Sequence, residues 1–76
     1  MENLRRLRLK KHMTQVALQM ETGIPQGALS KYERGAALPT PDNLMLLARY
    51  FHTSMDYLMG LTDEEKPYPR KEGERS

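Results

Sequence analysis

Between Met13 and Gly35 the segment MTQVALQMETGIPQGALSKYERG carries two amides, a hydroxyl and two cations at spacings that let them share one surface: Gln15, then Gln26, Ser30, Lys31 and Arg34. An amide gives and accepts hydrogen bonds at once and matches the N7 and N6 of adenine, while lysine and arginine pair with phosphate or guanine. Bond-breaking chemistry is not expected. The chain offers no paired carboxylates, no nucleophile beside a base and no phosphate-cradling glycine loop, so no catalytic residue is assigned. His12 and His52 each fall just after a helical stretch, and histidine tolerates positive φ better than most residues, so both are read as C-caps. With no cysteine beside them, neither a metal site nor a cofactor is expected.

The elements that must position these groups follow from local signals. Thr14 can cap a helix running from Gln15 to Thr22, and Gly23 supplies the positive φ that reverses the chain. Ile24 and Pro25 then open a second helix to Arg34, proline suiting a first turn where its missing N–H has no partner. Val16, Leu18, Ile24, Leu29 and Tyr32 are expected to face inward. Upstream, Asn3 to Lys11 form a first helix with Leu4, Leu7, Arg8 and Lys11 on one side. Downstream, Thr40, Pro41 and Asp42 start a fourth helix, and Leu44, Leu47, Ala48 and Phe51 keep the i, i+3, i+4, i+7 spacing of a buried stripe. Ser54 caps a short fifth helix, MDYLM, stopped by Gly60. No run alternates with period two. The fold class is all-α, a compact arrangement of five helices.

Counted from Gln15, glycine stands at the ninth position (Gly23) and apolar residues at the tenth, fifteenth and eighteenth (Ile24, Leu29, Tyr32). Together with Leu4, Leu7, Arg8, the SKYERG stretch, LPTPDNLMLLA and SMDYLMGL, this resembles the lambda-repressor-like (Cro-type, xenobiotic-response-element) helix-turn-helix family of small bacterial and phage transcriptional regulators. The match spans roughly residues 3 to 61, in order and spacing. It departs at the fifth position, where the usual alanine is Gln19, so either the two helices cross differently or that amide finds a polar partner.

The resemblance implies a sequence-specific regulator of transcription, most simply a repressor, whose third helix lies in the major groove of double-stranded DNA. Gln26 would then be the main base reader. Gln15 would bond a phosphate and brace Gln26, with Thr14 and the free N–H groups of that helix end on the same phosphate. Gly27 would allow close approach or contribute nothing, Ala28 would touch a thymine methyl, and Ser30, Lys31 and Arg34 would reach guanine or backbone. Lys11 adds a further phosphate contact, whereas Arg5, Arg6 and Lys10 read as a solvated helix face. The resemblance also pairs Arg8 with Glu33 as a structural ion pair. The competing reading, from a different class, is a protein-binding adaptor or antitoxin-type partner that keeps the fold.

The chain has 76 residues, 12 Lys plus Arg and 10 Asp plus Glu. One domain is expected, residues 1–61, with a core built from about 60 residues, near the lower limit for unaided folding. Residues 1–61 hold eight basic and five acidic groups, so they carry +3, while residues 62–76 hold four and five and carry −1. That tail, TDEEKPYPRKEGERS, is expected to be disordered or loosely attached, with Tyr68 its one large apolar anchor and a protein partner its functional alternative. The longest apolar run, LMLLA, is far shorter than the roughly 20 residues that span a bilayer, and no secretory h-region precedes it. A cytoplasmic protein without membrane contact and without an effector domain is expected, cysteine being absent.

Gly35 to Asp42 contains no Lys or Arg, which keeps phosphate contacts few and favours a homodimer on an imperfect palindrome. Leu46 and Tyr50 lie off the buried stripe of the fourth helix. With Tyr57, Met59 and Leu61 they are the expected dimer interface.

Overall fold

The computed structural model describes residues 1–67, which form five helices in the order α1 (Glu2–Lys10), α2 (Gln15–Thr22), α3 (Gln26–Arg34), α4 (Pro41–Phe51) and α5 (Met55–Leu58). Among the described residues there is no strand. Each helix end has a local cause. The hydroxyls of Thr14, Thr40 and Ser54 accept from the backbone N–H of Ala17, Asn43 and Tyr57, satisfying donors that a helix start leaves open. Gly23 closes α2 at φ 80°, in the left-handed region where a side chain would be strained. His52 does the same after α4 at φ 54°, and His12 follows α1 at φ 57°.

Four bounds differ slightly from the sequence expectation, one of them the end of α1 at Lys10 with Lys11 as its C-cap. Helix α1 begins at Glu2, whose carboxylate suits the positive end of the helix dipole, and α5 is one residue shorter than the five-residue stretch expected. Pro25, at ψ 142°, is the extended residue before α3 rather than its first turn.

Leu4, Leu18, Leu29, Leu47 and Leu58, almost wholly shielded from solvent, form the centre of the core, with Leu7, Ile24, Tyr32, Phe51 and Tyr57 around them. Two sequence expectations fail here. Val16, expected inward, is exposed, because Leu18 directs α2 at the core and Val16 lies roughly 200° around the helix from it. Tyr57, expected in an intermolecular interface, is buried, and its carbonyl accepts from the Asn3 side chain at 2.7 Å, tying α5 to α1. Tyr50, another expected interface residue, is half-buried: its ring meets Phe51 edge-on at 5.1 Å and its hydroxyl lies 3.5 Å from the Met13 sulfur.

Of the two expectations for the tail, its start shows attachment. The buried Thr53 hydroxyl donates to the carbonyl of Glu65, and the Glu65 carboxylate pairs with Lys10 at 3.0 Å, so this stretch lies against the body. A buried hydroxyl needs a partner, and the chain itself supplies it. The remainder of the tail, with Tyr68, lies outside the described residues.

Candidate nucleic-acid interface

Helix α3 buries Leu29, Tyr32 and Glu33 and leaves Gln26, Gly27, Lys31 and Arg34 exposed, with Ser30 half-buried between them. These five positions repeat at roughly one turn and form one strip along the outer face. Gly27 sits in the open, with nothing within 4 Å of where a Cβ would stand, so the surface beside Gln26 is free for close approach. Ala28 is half-buried against the core, which turns it away from the strip. The Ser30 hydroxyl accepts from Arg34 at 3.3 Å, holding that guanidinium along the helix.

A continuous line of hydrogen bonds reaches this strip from inside the domain. Arg8, on α1, faces Glu33, on α3, through two parallel bonds of 2.7 and 2.9 Å, both side chains nearly buried. Its third nitrogen donates to the Met13 carbonyl at 2.7 Å. The same Glu33 carboxylate accepts from Gln15 at 3.1 Å, and the Gln15 oxygen accepts from the Gln26 amide at 2.6 Å. Three side chains, one from each of three helices, thus hold the Gln26 amide. Burial pushes the Glu33 carboxyl up, but the bonds from Arg8 and Gln15 and the charges of Arg8 and Arg5 outweigh it, so its pKa lies below the ordinary carboxylate value. The bond to Glu33 likewise raises Arg8 against the opposing effect of burial. Among the described residues no buried side-chain polar atom lacks a partner.

Thr14 and Gln15 stand at the start of α2, next to the strip, and Thr14 is exposed. Lys11 is exposed beyond the end of α1 rather than aligned with Leu4 and Leu7, and its ammonium rests 4.9 Å above the Tyr50 ring. It lines an open groove of about 430 Å³ with Met13, Ala17, Met20, Glu21 and Tyr50. Leu46, Met59 and Leu61 are exposed apolar groups in the C-terminal half. Among the described residues no group of three or more His, Cys, Asp or Glu is placed to hold a metal ion, and no helix is long and apolar enough to cross a membrane.

Sequence reasoning left one contact open. The Gln19 side-chain oxygen accepts from the Gln26 backbone N–H at 2.7 Å, so the amide at this unusual position does find a polar partner. The signal was present in Pro25, which stands at a helix start without a hydroxyl to cap it. The bond from Gln15 to Glu33 had no such signal, since it joins residues 18 positions apart.

Comparison with known proteins agrees with this geometry. The helix-turn-helix family matches residues 4–58, from the first turn of α1 to the end of α5. Over 66 residues the chain is 36% identical to an uncharacterized HTH-type transcriptional regulator, YobD, of Bacillus subtilis (strain 168). That alignment covers 87% of this chain and 59% of the relative, so the chain spans less than two thirds of that protein's length. No solved structure gives a significant match.

Proposed function

Because the chain belongs to the lambda-repressor-like helix-turn-helix family, we propose that it is a sequence-specific regulator of transcription that lays α3 in the major groove and acts as a repressor. The observation that carries this reading is the Gln26 amide, exposed at the start of α3 and oriented by Gln15, which is itself oriented by the Glu33–Arg8 pair. A reader held in one rotamer loses little freedom on binding, so its two hydrogen bonds to an adenine edge count nearly in full. Lys31 and Arg34 lie further along the same strip and supply phosphate contacts, with Ser30 beside them, while Gly27 admits the groove wall. Thr14 and Gln15 hold a phosphate at the N-terminus of α2, where open N–H groups favour an anion.

Few basic groups flank the strip, so affinity rests on two copies binding together. The exposed Leu46, Met59 and Leu61 supply the contact between them, without Tyr57 and with Tyr50 only at its edge. A two-fold pair would set the recognition helices about 34 Å apart, one turn of B-DNA, and would select an imperfect palindrome.

Gel retardation with random genomic fragments at two salt concentrations tests the reading. A selected subset should bind, and binding should weaken steeply as salt rises, because phosphate contacts release counterions. Absence of binding at low salt would overturn it in favour of a protein-binding adaptor.

A further inference from the structure

Helices α2, α4 and α5 each begin on a hydroxyl that accepts a backbone N–H of its own first turn, whereas α3 begins on Pro25, which has no such acceptor. The Gln19 oxygen, seven residues back on α2, accepts the first N–H of α3 at 2.7 Å instead. That N–H belongs to Gln26. Gln19 and Gln15 are one turn apart on α2, and Gln15 holds the side chain of the same residue at 2.6 Å. One face of α2 therefore grips Gln26 at both its main chain and its side chain.

We propose that Gln19 is a positioning residue for recognition: a cap supplied from the neighbouring helix that fixes where α3 begins and hence where the Gln26 amide points. Resting on the DNA-reading function above, this adds a specificity determinant that touches no base. Proline at the start of α3 and glutamine at position 19 form a coupled pair. Proline presets φ but leaves the helix start without a side-chain acceptor, and the glutamine amide restores one. The α2–α3 crossing is thereby tied by a polar bond at the turn, in addition to the burial of Leu18 and Leu29 in the shared core.

Gln19→Met keeps the length of the side chain and removes the acceptor, while Gln19→Glu keeps the acceptor. In the full-length protein, Gln19→Met should speed hydrogen exchange of the Gln26 amide and lower the folding equilibrium constant roughly two- to thirtyfold, the range for a lost N-cap. Gln19→Glu should preserve both. In a Pro25→Ser background, where α3 gains a hydroxyl cap of its own, the stability loss from Gln19→Met should shrink below about twofold. Equal losses in the two backgrounds, or unchanged Gln26 exchange, would overturn the capping role. On DNA, Gln19→Met should reduce discrimination at the base pair read by Gln26 by roughly fivefold or more, with binding to random DNA unchanged. Lost stability with intact discrimination would overturn the positioning role. Should the wild-type chain select no DNA at all, the function proposed above fails, while the exchange rates and the two-background cycle still decide the role of Gln19 in the fold.

Discussion

Helices α1, α2 and α3 meet through a line of charged and amide groups, Arg8, Glu33, Gln15 and Gln26, whereas α4 and α5 are held by Leu44, Leu47, Phe51 and Leu58. The polar line is directional, since each bond fixes the angle of the next side chain, and it ends on a group exposed to solvent. The apolar half is held mainly by excluding water, with one bond from Asn3 to the Tyr57 carbonyl and one from Asn43 to the Tyr32 hydroxyl, and it leaves Leu46, Met59 and Leu61 uncovered. A domain this small divides the work accordingly. Orientation of the proposed recognition group needs hydrogen bonds with defined geometry, while attachment of the remaining helices rests mainly on burial.

The largest effect should come from breaking the polar line at its root. Arg8→Ala or Glu33→Ala leaves a charge poorly compensated and should cost about 3 to 5 kcal/mol, whereas the combined Arg8→Met, Glu33→Leu variant recovers part of the loss. Additive shifts across that cycle in thermal unfolding would show that the two side chains do not support each other. Leu47→Ala, in the apolar half, should cost about 2 to 5 kcal/mol with no dependence on pH, since it opens a cavity and moves no charge.

Acid separates the two halves further. Glu33 titrates below its ordinary value in the folded chain, so its contribution is complete above the unfolded pKa of about 4.3 and is lost as pH falls through the lower folded value. Glu33→Gln should flatten that part of the acid limb in a stability–pH profile, while Leu47→Ala should shift the profile without changing its shape. An unaltered slope for Glu33→Gln would remove the carboxylate from the account.

Smaller changes test the outward ends of each half. Gln26→Ala should relax discrimination at one base pair by about 1 to 3 kcal/mol while leaving the melting temperature nearly unchanged, as read by a binding-site scan. Met59→Asp should alter stability least, within about 0.5 kcal/mol, because the side chain is already exposed. It should nonetheless abolish cooperative binding to a full site. Half-sites bound as tightly as full sites by the wild type would end the proposal of a two-fold pair.

Much of the fold was readable because its signals are local. Thr14, Thr40 and Ser54 cap the helices they precede, and Gly23 and His52 end them, each decided by a residue and its neighbours within one turn. The pairing of Arg8 with Glu33 came from resemblance, since nothing local links residues 25 positions apart. Spacing alone misled where two faces of one helix were both plausible. Val16 and Tyr57 are apolar in a pattern that fits either side, and only the packing of Leu18 against α3 and of α5 against α1 turned one outward and the other inward. The sequence by itself determined where α2 and α4 start and stop and where α5 starts, which is set by backbone donors, acceptors and φ preferences within a few residues. Tertiary structure alone decided that Gln19 caps α3, that Gln15 binds Glu33 and that Thr53 binds the Glu65 carbonyl, because a hydrogen bond needs its partners within about 3 Å and only packing brings distant residues that close.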